Sequence, residues 1–146
     1  MSSTYFQDTV QNDPRDVRRV LAACRECFSG AIDDHLLNRF EAVLAEVLNN
    51  VVEHALAGMG RSGQATVTCG PTPGGLWIGV VDNGRAMPGG VIPAGNMPAV
   101  DTDRDDLPEG GFGWAMVRVM TDDLTYRRED GENRLAFTVR AGDDTW

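Results

Sequence analysis

The sequence predicts an α/β fold of the α+β kind, a two-layer sandwich. A mixed, largely antiparallel sheet is covered on one face by three helices. Three observations lead there. Two pairs of short strand-like segments, 64–69 with 76–82 and 123–128 with 134–140, are each joined by a turn and read as hairpins. Two segments nearer the N-terminus repeat apolar residues at helical spacing. The order strand, helix, helix, two strands, helix, two strands then places hairpin neighbours in one sheet and leaves the helices to cover one face.

Residues 4–10, TYFQDTV, alternate weakly and read as a first strand. Asp13-Pro14 supplies an N-cap followed by proline at the first helical position. Val17, Val20, Leu21, Cys24 and Phe28 form the apolar face of that helix, and Gly30 is its stop. Asp33 or Asp34 caps a longer second helix. Its stripe runs Leu36, Leu37, Phe40, Val43, Leu44, Val47, Leu48 and Val51, and it ends near Gly58. GPTPGG is the turn of the first hairpin. Residues 83–111 are rich in glycine, proline and aspartate and lack periodicity, which reads as a lid-like loop. A third helix covers about 112–120, and Glu129-Asp130-Gly131-Glu132 turns the second hairpin.

The chain has 146 residues, 42% of them hydrophobic, which suits a single domain over 1–146 with one core. No apolar run approaches the ~20 residues of a membrane helix. The N-terminus lacks a charged-then-apolar signal pattern, so a cytoplasmic location without membrane association is expected. The net charge of −9 disfavours direct nucleic-acid binding. All thirteen basic residues are arginine; without lysine there is no Walker A loop. For any bound nucleotide, backbone N–H groups and a metal must then carry more of its charge. Cys24 and Cys27 form a lone CxxC with no further ligand pair, in phase with the apolar stripe of the first helix, which reads as core. That helix's outer face carries Arg15, Arg18, Arg19 and Arg25, a solvated face or a surface for a partner or a second copy.

Three segments carry chemistry. In EVLNNVVEHA, Glu46, Asn50 and His54 follow one another at i, i+4 along the border of the second helix's stripe. A carboxylate and an amide one turn apart suit a Mg²⁺ site, and the carboxylate can also deprotonate a hydroxyl. Alone, this border reads as a solvated helix face. Two adjacent asparagines are poor mid-helix residues, however, and their presence points to a use for at least one. In VVDNGRAMP, Asp82 ends a strand where a carboxylate facing a cavity can accept from an amine, and Gly84 lets the backbone pass close to a flat ring. Asp-Asn-Gly is also an ordinary turn. In EGGFGWAM, glycines precede a helix whose first N–H groups can hold an anion. A flexible start to the helix explains the same glycines.

Taken in this order, a helical ExxxN, a strand-end DxG, a long loop and GGxG at a helix start, the segments resemble the N, G1 and G2 boxes of the GHKL (histidine kinase-like) ATPases. The resemblance spans roughly residues 14–141. The ExxxNxxxH form, the short length and the lack of a phosphoacceptor-histidine domain resemble the anti-sigma-factor serine kinase branch. The resemblance implies the Bergerat ATP-binding fold, ATP or ADP with Mg²⁺, and a role for each matching residue. Glu46 is the implied general base and Asn50 the Mg²⁺ ligand, with His54 completing the N box beside the nucleotide. Asp82 reads the adenine amine, Gly84 passes beneath the ring, and Ala86 stands where the G1 box usually has a second glycine. Gly110, Gly111 and Gly113 approach the phosphates, and Arg104 in the loop contacts the γ-phosphate. A late-sheet residue supports the aspartate, here Asn133 or Thr138. The implied activity is an ATP-dependent serine/threonine protein kinase acting as an anti-sigma factor. Its partners are then a sigma factor and a STAS-type antagonist that it phosphorylates. A non-catalytic ATP-binding module that sequesters a partner, and a stand-alone kinase of another signalling pathway, are the alternatives.

Overall fold

The computed structural model describes residues 5–94 and 111–141, with the backbone alone for Gly111 and Phe112. Residues 95–110, which include Arg104 and Gly110, lie outside the described residues. The elements are β1 (Phe6–Gln11), α1 (Pro14–Phe28), α2 (Asp34–Asn50), β2 (Gln64–Thr72), β3 (Gly75–Asp82), α3 (Gly111–Met120), β4 (Asp122–Glu129) and β5 (Glu132–Arg140). The strands form one sheet in the order β1-β2-β3-β5-β4. Every pairing is antiparallel, so among the described strands the sheet is antiparallel throughout rather than mixed.

Local chemistry fixes the helix starts. The Asp13 side chain accepts from the Arg15 N–H at 2.9 Å, and Pro14 gives up no intrahelical bond at the first position. Asp33 caps α2, accepting from the N–H groups of His35 and Leu36. The second hairpin turns at Asp130-Gly131, both with positive φ, the conformation a two-residue hairpin loop needs.

Apolar residues alternate along the strands and meet the helical stripes in one core. Val10, Val67, Leu76, Ile78, Val80, Leu135, Phe137 and Val139 face Val17, Val20, Leu37, Phe40, Val43, Leu44, Val47 and Leu48, all buried. Phe28 and Phe40 meet edge to face, with ring centroids 6.3 Å apart. The opposite sheet face carries Thr66, Thr68 and Thr138, with Trp77 exposed among them. Cys24 and Cys69 are core residues with sulfurs 3.4 Å apart, and half-buried Cys27 packs beside them. Contact with the Cys69 thiol and burial push the Cys24 thiol far up, which suits an inert core cysteine. On α1, Arg15 pairs with Asp13, Arg19 with Asp16 and Asp8, and Arg25 with Glu41, so most of that arginine face is neutralised. Among the described residues no helix is long and apolar enough to cross a membrane.

Two segments differ from the sequence expectation. GPTPGG is not a six-residue turn: β2 runs to Thr72, β3 starts at Gly75, and Pro73-Gly74 alone makes the turn. The pairing of β1 with β2 ends at Phe6 opposite Cys69, so Pro71 lies where β2 has lost that neighbour and a proline is accommodated. The second helix does not run unbroken to Gly58. It widens into a π-helical turn over Val51–Ala55, closed by the Leu56 N–H donating to the Val51 carbonyl at 2.9 Å. The Ala55 carbonyl, which a continuing helix would bond internally, accepts from the Arg85 N–H at 2.9 Å.

Two truncations test this description. Phe40→Ala should cost about 3–5 kcal/mol, the range for an aromatic removed from a packed core. Asp13→Ala should cost about 1 kcal/mol, the usual worth of a helix cap. Urea unfolding reads both. A Phe40→Ala cost no larger than that of the cap would show that the α2 stripe does not form the core.

Candidate functional site

β3 ends at Asp82 and the register sets Asn133 of β5 directly opposite. Both side chains are buried, at 5% and 4% exposure, and they are the buried polar residues of an otherwise apolar core among the described residues. A carboxylate so placed needs donors. Asp82 Oδ1 accepts from the Gly84 N–H and from Asn133 Nδ2, each at 2.8 Å. Asn133 Nδ2 also donates to the Arg85 carbonyl at 2.7 Å. Asn133 Oδ1 accepts from the Tyr126 hydroxyl at 2.6 Å and from Arg128 Nη1 at 3.1 Å. No protein hydrogen bond among the described residues reaches Asp82 Oδ2, which is left to the cavity that Asp82 lines.

That cavity measures about 480 Å³, within the range of small-molecule sites. Val80, Met87, Trp114 and Leu135 give it apolar walls. Asp82, Asn50, Glu53 and His54 bring polar groups to it, and Tyr126 of β4 and Asn133 of β5 line it as well. Burial raises the Asp82 carboxyl above its usual range, opposed by the Asn133 and Gly84 bonds and by the Arg128 charge.

The other sequence-derived residues fall at several places around this cavity. Asn50 lines it, and its Nδ2 donates to the Glu46 carbonyl at 2.8 Å, with no hydrogen bond to its own oxygen among the described residues. His54 also lines it, but from the π-helical turn, so the regular i, i+4 climb stops at Asn50. Glu46 does not line the cavity. Its carboxylate packs against Gly113 at the start of α3, where a Cβ would fall on it, so the N and G2 boxes meet there. Gly84 is buried rather than lining the cavity, and a Cβ on it would strike the Ala55 carbonyl. Its lack of a side chain serves that backbone approach. Ala86 lines the cavity and is exposed, without positive φ, so its position makes no demand for glycine. Gly111 opens α3; Gly110 and Arg104 lie outside the described residues.

Sequence reading left Asn133 and Thr138 open and missed Tyr126, Arg128 and Trp114. A signal for the first was present. Asn133 is in phase with Leu135, Phe137 and Val139 on the core face of β5, whereas Thr138 pairs with exposed Trp77 on the other face.

With this geometry in place, comparison with known proteins gives the class. The histidine kinase-like ATPase domain family model matches residues 10–139, and the chain belongs to that family. No curated protein sequence matches it. Among solved structures, it is similar to the RsbU and RsbW domains of Rv1364c from Mycobacterium tuberculosis, with 18% identity and a TM-score of 0.64 over 93% of this chain and 32% of that one. It is also similar to the EL346 blue-light activated histidine kinase of Erythrobacter litoralis, with 18% identity and a TM-score of 0.52 over 87% of this chain and 41% of that one. At such identity the likeness is one of fold, the antiparallel α+β arrangement of the GHKL ATPases. The chain spans less than half the length of either.

The buried carboxylate has a measurable consequence. A folded-state carboxyl raised above its unfolded value stabilises the protein below the unfolded pKa, and that stability is lost as pH rises through the folded value. Asp82→Asn removes this titration. Wild type should therefore lose stability relative to Asp82→Asn between about pH 4, the unfolded value, and neutrality, read by urea unfolding at both ends. A stability difference independent of pH would contradict the raised carboxyl.

Proposed function

We propose that this chain is a single ATP-binding domain that transfers phosphate to a serine or threonine of a partner protein, in the manner of the anti-sigma-factor serine kinases. The observation that carries the reading is the unengaged Asp82 oxygen on an apolar cavity with the Asn50 amide nearby. Membership of an ATPase family supports ATP or ADP as the ligand. The ExxxNxxxH sequence of the second helix supports the anti-sigma branch, with a sigma factor and a STAS-type antagonist as partners. The RsbW domain of the Mycobacterium tuberculosis protein shares the fold.

In this reading Asp82 accepts from the adenine amine, and Val80, Met87 and Leu135 enclose the base. The Asn50 oxygen and water suit Mg²⁺, which takes oxygen ligands and keeps much of its hydration. The metal, when bound, neutralises phosphate charge. Glu46 stands beside the α3 start, where the backbone N–H groups of a first helical turn can hold an anion. From there it takes the proton of the attacking hydroxyl while the phosphoryl group passes in line. A non-catalytic module that sequesters its partner is the second reading; Glu46 lying off the cavity and against Gly113 favours it.

Phosphate transfer from Mg-ATP to a STAS-type antagonist separates the two. Wild type should phosphorylate the antagonist, and Glu46→Gln should keep nucleotide affinity while transfer falls by roughly 10²–10⁴, the worth of a positioned base. Asn50→Ala should lose the Mg²⁺ dependence of ATP binding. Equal transfer by wild type and Glu46→Gln would remove Glu46 as the base. Intact partner binding without transfer by wild type would establish the sequestering module.

A further inference from the structure

The chain contains one Asn–Gly dipeptide, Asn83-Gly84, and it forms the turn that follows β3. This pair is chemically labile. The backbone nitrogen after an asparagine can attack the side-chain carbonyl carbon, and glycine, with no Cβ, hinders that attack least. A bond forms between Gly84 N and Asn83 Cγ, and the Cγ–Nδ2 bond breaks. Ammonia leaves with the Gly84 proton. Water then opens the cyclic imide at either carbonyl, giving aspartate or isoaspartate. The step needs no oxidant and no cofactor.

The fold requires both residues. A Cβ at Gly84 would strike the Ala55 carbonyl, so the packing demands glycine. Asn83 Oδ1 accepts from the Gln64 N–H at 2.9 Å, and Nδ2 donates to the Ser62 carbonyl at 2.8 Å. An ionised aspartate there would have no donor for Ser62. The reactive pair is thus retained, and its reacting groups are engaged elsewhere. The Asn83 amide is held on residues 62–64. The Gly84 N–H donates to Asp82 Oδ1 at 2.8 Å, and Gly84 is buried. Arg128 Nη1 donates to the Gly84 carbonyl at 2.6 Å, and the Arg85 N–H donates to the Ala55 carbonyl at 2.9 Å, so the chain beyond the nucleophile is fixed as well. Attack requires three hydrogen bonds to be released together, two from the Asn83 amide and one from the Gly84 N–H.

We propose that Asn83-Gly84 is a latent deamidation site, held off by the bonds of this turn and released when the turn opens locally. The proposal is independent of the nucleotide reading, but its product alters the same cavity. Isoaspartate routes the main chain through the former side chain and adds a methylene between Asp82 and Gly84. The Gly84 N–H then no longer meets Asp82 Oδ1 in the register that the Ala55 and Arg128 bonds fix. The change is irreversible, so modified chains accumulate with each opening of the turn.

Peptide mapping by mass spectrometry tests this on the full chain at mildly alkaline pH, with the peptide VVDNGRA as reference. Asn83 in the folded protein should convert on the order of 10²-fold more slowly than in the peptide, the protection expected from three hydrogen bonds. Arg128→Met keeps an apolar stem but frees the Gly84 carbonyl, and conversion should rise by about 5–10-fold. Urea below the unfolding transition should also speed conversion in wild type, with a shallower dependence than global unfolding, because only the turn opens. That measurement needs no variant, so it stands even where Arg128→Met fails to fold. The isoaspartyl form, separated by its added negative charge, should unfold at a lower urea concentration than the unmodified chain. Folded wild type that converts as fast as the peptide would overturn the proposal. So would a urea dependence equal to that of global unfolding, a folded Arg128→Met with an unchanged rate, or an isoaspartyl form as stable as the unmodified chain.

Discussion

A carboxylate at the end of a central strand, in a core otherwise built from apolar side chains, is the constraint around which this structure is arranged. Burying Asp82 is unfavourable unless donors compensate it, and leaving an unpaired charge there would cost several kcal/mol. The antiparallel register of β3 and β5 supplies one donor, by setting Asn133 opposite. The tight turn after β3 supplies the other, the Gly84 N–H. Each compensating group is itself held, Asn133 by Tyr126 and Arg128 and Gly84 by its approach to Ala55. The compensation is one-sided. It saturates Oδ1 and, among the described residues, leaves Oδ2 to the cavity, where a carboxylate oxygen can accept from a donor.

α2 is the element that connects the two ends of the site. Its stripe fastens it to the sheet, and its polar border carries Glu46 and Asn50. At one end the Glu46 carboxylate touches Gly113 of α3; at the other, at the end of the π-helical turn that continues α2, the Ala55 carbonyl touches Gly84. Both contacts need a glycine because each brings backbone or carboxylate to where a Cβ would sit. A single helical stretch thereby fixes the separation between the turn after Asp82 and the start of α3. That is the geometry a ligand with a flat ring at one end and an anion at the other requires.

Much of this was legible in the sequence. Helix starts rest on local chemistry that can be read directly, as at Asp13-Pro14 and Asp33. The sheet rests on short strand-like runs bounded by turn residues, which give every strand within a few residues. The boxes depend on residue types and order, and the structure brings Glu46 to Gly113 and sets Asn50 with Asp82 on one cavity. Other features depend on contacts between distant segments. The π-helical turn answers to Arg85, thirty residues away in sequence. The shortening of the first hairpin's turn depends on where β1 stops. Tyr126 and Arg128 look like ordinary strand residues until the register brings them to Asn133 and the segment after Asp82. Asn133 itself lay within reach of a period-two argument, because it keeps phase with Leu135, Phe137 and Val139.

A crystal structure of the protein with Mg-ADP tests the central claim most directly, that the unengaged oxygen of Asp82 reads an adenine base. The account predicts the base between Val80, Met87 and Leu135, with its 6-amino nitrogen about 3 Å from Asp82 Oδ2 and the Oδ1 bonds to Gly84 and Asn133 unchanged. An adenine bound elsewhere, or one in this cavity that leaves Oδ2 without a donor, would contradict it.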